Sequence, residues 1–116
     1  MRRMHRQPPQ RPAPPIRVFV TGGTFDKEYN ELRGTLFFKR THLPALLQQG
    51  RCRLRVRVSP LMLIDSLEMT PHDRARIAAA CRRARERHIV ITHGTDTMCD
   101  TARYLAQALP GKTIVL

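Results

Sequence analysis

Two hydroxyl-rich motifs hold the residues whose types and spacing could do chemistry: Thr21-Gly22-Gly23-Thr24 near the start and His93-Gly94-Thr95-Asp96-Thr97 near the end. Gly22-Gly23 lets the backbone bend sharply and come close to a ligand. Thr24 then presents a hydroxyl and a backbone N–H. The plainer reading is a tight turn whose threonine caps the next element. The second motif places two hydroxyls and a carboxylate where a strand meets a helix. Such a junction suits an anion or carboxylate, because a helix N-terminus offers free N–H groups. Its plainer reading is Thr95 or Asp96 capping the helix after it.

Both motifs come after short apolar runs. Ile16 to Val20 reads as a first strand, and Ile89-Val90-Ile91 as a buried one. Strand ends are where open α/β sheets build their sites. Between them, Thr35 to Phe38 forms part of a hairpin, and Thr41 caps a short helix through Gln49 with Gly50 as its stop. Leu54, Val56 and Val58 alternate with Arg53, Arg55 and Arg57, a period of two that predicts a strand with one wet face near a sheet edge. Leu61 to Leu67 forms an apolar loop or short strand around Asp65-Ser66. Thr70-Pro71-His72-Asp73 starts a helix with a capping hydroxyl, a proline in its first turn and an acid at its N-terminus. Ile77, Ala78, Cys81 and Ala84 continue it at helical spacing. Met98, Ala102, Leu105 and Leu109 line a further helix, Pro110-Gly111 stops it, and Thr113 to Leu116 begins another strand.

This order predicts a parallel-sheet α/β domain, three-layered and Rossmann- or flavodoxin-like, that is incomplete at its C-terminus. Residues 1–15 read as a disordered basic tail rich in proline and arginine, and 16–116 as the domain. The 116 residues allow one domain at most. No apolar run reaches the roughly 18 residues that span a membrane, and no apolar stretch comes after the basic N-terminus, so a cytoplasmic location is expected.

The net charge of +12 is nearly all arginine. A basic domain can bind nucleic acid. Aromatic residues able to stack on bases are few and scattered, so a coding bias toward arginine, alanine and proline is the better account. Cys52, Cys81 and Cys99 show no metal or disulfide spacing. Cys81 and Cys99 fall among apolar helix positions and are expected to be buried. The histidines are scattered. No metal and no cofactor is assigned. Gly111-Lys112-Thr113 mimics the end of a phosphate loop but lacks the earlier glycine and enters a strand.

Taken together, Thr-Gly-Gly-Thr after the first strand and His-Gly-Thr-Asp-Thr before the later helix resemble the bacterial-type L-asparaginase family, from about Ile16 to Leu116. The run Ile64-Asp65-Ser66-Leu67-Glu68-Met69 falls where that family has its middle substrate-binding loop. The resemblance implies hydrolysis of a side-chain amide to aspartate and ammonia. Thr24 matches the nucleophile. A hydroxyl attacks an amide poorly unless a neighbour takes its proton; Thr95 and Asp96 match two of the family's three activating residues. The third, a lysine, lies beyond Leu116. Tyr29 is the candidate for the tyrosine that orients the nucleophile. Ser66 matches the serine that holds the α-carboxylate, Asp96 would face the α-ammonium, and Gly23 and Gly94 complete the substrate-binding set. Backbone N–H groups near Thr24 and Thr95 would receive the oxyanion. Leu67 stands where the family has a polar substrate contact. The substrate implied is L-asparagine or L-glutamine, and a homo-oligomer is expected. The alternatives are a non-catalytic amino-acid-binding homologue and, on charge alone, a component of a tRNA-linked amidotransferase.

Overall fold

The computed structural model describes residues 12–116; most of the proline- and arginine-rich tail lies outside them. The elements in chain order are β1 (Ile16–Val20), β2 (Lys27–Asn30), β3 (Thr35–Phe38), α1 (Leu43–Gln49), β4 (Val56–Pro60), α2 (Pro71–Arg83), β5 (His88–Thr92), α3 (Met98–Ala108) and β6 (Thr113–Val115). Four strands form one parallel sheet in the order β4-β1-β5-β6, and β2 and β3 pair as a separate antiparallel hairpin. This is the expected parallel α/β domain, with β4 at an edge.

The chain leaves β1 toward β4, then crosses back over β1 to β5 and onward to β6. The direction of travel reverses at β1, so the topological switch point lies between β1 and β5, and their carboxyl ends flank the crevice there. Right-handed crossovers place α1 on one face of the sheet and α2 and α3 on the other.

Strand pairing fixes which residues meet those helices. Phe19 lies beside Ile91, and Arg17 beside Ile89. Phe19, Ile89 and Ile91 share a core with Ile77, Ala78, Cys81 and Ala84 of the α2 segment and Leu105 and Leu109 of the α3 segment. Burying each large aliphatic side chain contributes about 1.5–3 kcal/mol. Burial also pushes the Cys81 thiol up to about 11, which leaves it an unreactive packing residue. Cys99, by contrast, is exposed. It sits one position round α3 from the apolar stripe, so the expectation of burial fails there.

The opposite face is thinner. Val18 and Val20 are buried, yet α1 has no buried residue, and Val115 is 56 % exposed. Thr41 bonds the helix as expected, its Oγ1 accepting from the Leu43 N–H at 3.2 Å, but the capping position itself is His42. The strand predicted from Leu54 begins at Val56, and Leu54 is half exposed.

Two charged side chains on the packed face have dedicated partners. Arg17 donates through Nε and Nη2 to Glu86 at 3.2 and 3.1 Å, and through Nη1 to Ser59 Oγ at 3.2 Å. Lys112, from the phosphate-loop mimic, donates to the Ala84 and Glu86 carbonyls just beyond α2. Its role is to satisfy a helix end, whose carbonyls otherwise lack donors.

Helix α2 starts in a full capping box: Thr70 Oγ1 accepts from the Asp73 N–H, and Asp73 accepts from the Thr70 N–H at 2.9 Å. Replacing Thr70 by alanine is expected to lower stability by about 1 kcal/mol in urea denaturation. The Thr70 N–H is the main cause that holds the Asp73 carboxyl below its ordinary value of 3.8. A depressed carboxylate stabilises the fold above its unfolded pKa and ceases to do so as pH falls through the folded value. The wild-type advantage over Asp73→Asn should therefore be complete at neutral pH and shrink below about pH 4.

Candidate active site

Three loops converge at the carboxyl ends of β1, β4 and β5. After β1, the backbone turns at Gly22 (φ 151°) and Gly23 (φ 112°) into one turn of 3-10 helix, Thr24–Asp26. The loop after β4 is bonded directly to it: the Leu61 N–H donates to the Val20 carbonyl at 2.9 Å, and the Ile64 N–H to the Thr21 carbonyl at 3.0 Å. A Cβ on Gly22 would lie 2.3 Å from the Ile64 carbonyl oxygen. Only glycine permits that approach, and its φ is one that other residues rarely adopt.

The loop after β4 then forms a second 3-10 turn, Ser66–Glu68, capped by Asp65, whose Oδ1 accepts from the Leu67 N–H at 3.0 Å. The loop after β5 presses on it. A Cβ on Gly94 would meet Ser66 Oγ at 2.7 Å. Thr97 Oγ1 donates to the Ser66 carbonyl at 2.8 Å. The last threonine of the second motif thus ties two loops together.

His93 is buried and faces inward. Its Nδ1 lies 2.6 Å from the Gly94 carbonyl, which can only accept, so Nδ1 carries a proton. Its Nε2 lies 2.8 Å from Thr101 Oγ1, and that hydroxyl oxygen accepts from Arg74 Nε at 2.9 Å. This network supports the loop from below.

The convergence leaves a cleft of about 40 Å³ lined by Gly23, Thr24, Ser66, Gly94, Thr95 and Asp96, together with Lys27, Asp65 and Phe38. Six of the residues read from the sequence therefore meet in one place. Thr95 and Asp96 do not cap α3. The capping position is Thr97, which makes no side-chain cap bond. Among the described residues, the side chains of Thr24, Thr95 and Asp96 make no hydrogen bond to another protein group. Ser66 is 1 % exposed, and its Oγ has no hydrogen-bond partner there either. A buried hydroxyl without a partner costs about 1–3 kcal/mol unless something supplies one.

Tyr29 departs from its expected place. It is 62 % exposed and does not line the cleft; its hydroxyl lies near Gly34 in the hairpin turn. The period of two puts it on the same side of β2 as Lys27 but two residues farther along a hairpin that leads away. In this geometry it does not orient Thr24.

Lys27 and Asp65 are the residues that sequence reasoning missed. Lys27 Nζ contacts Asp65 Oδ2 at 2.9 Å and lies 5.2 Å from the centre of the Phe38 ring. The hydrogen bond from Lys27 is the first cause that holds the Asp65 carboxyl below its ordinary value; the Leu67 N–H adds to it. Both residues stand close to motif positions, but their pairing needs the hairpin folded back over the loop after β4. Leu67 points away, 72 % exposed. Among the described residues, no group of three or more histidine, cysteine, aspartate or glutamate side chains is placed to hold a metal. No helix there is long and apolar enough to cross a membrane.

The sequence profile described as "Asparaginase, N-terminal" matches residues 15–116. The fold is similar to three solved structures. The thermostable L-asparaginase from Thermococcus kodakarensis superposes with a TM-score of 0.67 and 28 % identity, covering 80 % of this chain and 29 % of that one. L-asparaginase I from Vibrio cholerae has a TM-score of 0.63, with 28 % identity over 80 % of this chain and 29 % of that one. A probable cytoplasmic L-asparaginase from Campylobacter jejuni has a TM-score of 0.63, with 28 % identity over 80 % and 30 %. The chain thus spans less than a third of the length of each of these.

Gly94→Ala should displace Ser66 without unfolding the core. A crystal structure of the variant should show the Ser66 side chain moved from its place beside residue 94. A thermal midpoint within a few degrees of wild type would separate this effect from unfolding.

Proposed function

The chain belongs to the asparaginase family through its N-terminal domain, and on that premise we propose that it carries an amidohydrolase site for the side-chain amide of L-asparagine, with Thr24 as nucleophile. The observation that best supports this is the grouping of three exposed polar side chains and one buried, unpartnered hydroxyl in a single cleft.

Position suggests the roles. Thr24 Oγ1 attacks the amide carbon from the end of β1, and its proton passes by way of Thr95, with Asp96 beside it, to the amide nitrogen, which departs as ammonia. A threonine hydroxyl is a weak nucleophile without such help. The Thr24 and Thr95 N–H groups are not taken by other backbone groups of the described loops, and they suit the oxyanion. Ser66 Oγ, buried at the base of the cleft, donates to the substrate α-carboxylate, and Asp96 balances the α-ammonium. Loss of ammonia leaves an acyl-threonine that water then cleaves. Gly23 and Gly94 contribute by having no side chain, which keeps the backbone N–H groups within reach.

Among the described residues, Lys27 is the one ammonium lining the cleft, and Asp65 holds it. With Nζ held by the Asp65 carboxylate at 2.9 Å, Lys27 is placed as a fixed positive charge at the edge of the cleft. This observation favours the second reading, a site that binds the amino acid without turning it over. Substrate choice between asparagine and glutamine, a homo-oligomeric state and a cytoplasmic setting belong to the same proposal.

Ammonia release from L-asparagine tests the reaction, and L-aspartate calorimetry tests the site. Thr24→Ala should lower ammonia release by at least about a thousandfold, as loss of a nucleophile does, while aspartate binding stays within about tenfold of wild type. Binding without release by the wild-type chain would support the second reading. Release unchanged in Thr24→Ala would overturn the nucleophile assignment.

A further inference from the structure

Charge in the cleft is unevenly placed. Two carboxylates, Asp65 and Asp96, line it against one ammonium, Lys27. They come from different parts of the chain: Asp65 follows β4, Asp96 follows β5, and Lys27 opens the hairpin after β1. An anionic group entering this cleft is repelled by both carboxylates. A neutral hydroxyl such as that of Ser66 donates a hydrogen bond but offsets no charge. Among the described residues, Lys27 is the lining group able to do so.

Taken alone, Lys27 and Asp65 form a partly exposed ion pair, and such pairs add little stability. A latch between the hairpin and the loop after β4 could stand anywhere along their contact. This pair stands in the wall of the cleft itself, beside Thr24 and Ser66. Its ammonium is also held from more than one side. Asp65 Oδ2 accepts from Nζ at 2.9 Å, and the ring of Phe38, the cross-strand neighbour of Lys27, has its centre 5.2 Å away. Asp65 is fixed in turn, because its Oδ1 accepts from the Leu67 N–H and caps the turn that begins at Ser66. The ammonium thus has a set position relative to that turn, and a ligand meets it without the entropy cost of ordering a long side chain. It is reachable, since the Lys27 side chain is 20 % exposed. Asp65 is its one hydrogen-bond acceptor among the described residues, so Nζ keeps donors for a ligand.

Resting on the amino-acid reading of this cleft, we propose that Lys27 is a specificity-determining residue that pairs with the free α-carboxylate of the substrate. Asp96, on the loop after β5, takes the α-ammonium. The two side chains then match the two opposite charges of an α-amino acid. The substrate class is the free amino acid. Where the α-carboxyl group is an amide, as within a peptide, Lys27 meets no charge and stays with Asp65 alone. This role holds whether or not hydrolysis follows binding.

Calorimetry at about physiological salt with L-aspartate and L-isoasparagine tests the assignment. Both ligands carry the α-ammonium and the side-chain carboxylate; the second has its α-carboxyl group as an amide. Neither has a side-chain amide to hydrolyse. Wild type should bind L-aspartate at least about tenfold more tightly than L-isoasparagine, the range of one charge-assisted hydrogen bond. Lys27→Met keeps an unbranched stem without the charge. It should weaken L-aspartate binding by about tenfold or more and L-isoasparagine binding by less than about threefold. Equal affinity of wild type for the two ligands would overturn the assignment, and that comparison needs no variant to fold. Equal loss of both ligands in Lys27→Met, the mark of a latch that only positions Ser66, would overturn it as well. No binding of L-aspartate to wild type would overturn the amino-acid reading itself and the role of Lys27 with it.

Discussion

Backbone-to-backbone contact between three loops is the constraint on which the rest of this molecule depends. Gly22 packs against the Ile64 carbonyl and Gly94 against Ser66, at separations that admit no side chain. These contacts bring the ends of β1, β4 and β5 within one small cleft. Without them, Thr24, Ser66 and Thr95 would sit on three separate turns. The sheet supplies the frame, because β1 is central and pairs with both other strands. The glycines convert that adjacency into contact.

Side chains around this contact divide between support and exposure. His93, Thr101 and Arg74 form a chain of hydrogen bonds beneath the second motif, and Thr97 binds the loop after β4. Thr21 Oγ1 donates to the Thr92 carbonyl, closing the base between β1 and β5. These polar groups are consumed by structure. Thr24, Thr95 and Asp96 are left outside the network. The same motif thus contains residues that build the loop and residues that the loop presents, and only the partners distinguish them. Lys27 and Asp65 add a clamp from the hairpin, tied through Asp65 to the turn that carries Ser66.

Charge is distributed with a similar asymmetry. The core between the sheet and helices α2 and α3 is apolar, and the largely buried ion pair Arg17–Glu86 lies at its margin, where an arginine-lined cavity opens. Burying such a pair gains little net stability, since desolvation offsets most of the attraction. Its firmer consequence is orientation: Arg17 and Glu86 hold fixed positions beside the cavity. On the opposite face, α1 gives only slight cover.

Much of the fold was legible in local pattern. Alternation at Val56 and Val58, helical spacing from Ile77 to Ala84, and the turn at Pro110-Gly111 report which face of each element is buried, and burial drives folding. Gly22-Gly23 and Gly94 announced tight backbone turns, so the cleft's location was readable from sequence. Tertiary structure decided what local pattern does not encode. Cys99 is exposed because α3 is rotated to bury Thr101 and Leu105. Thr97 binds across to another loop instead of presenting a cap. Tyr29 lies outside the cleft, and Lys27 inside it, because of the path taken by a two-stranded hairpin. Spacing along a chain fixes which neighbours share a face, whereas partners far apart in sequence are set by how elements pack, a property of the whole chain.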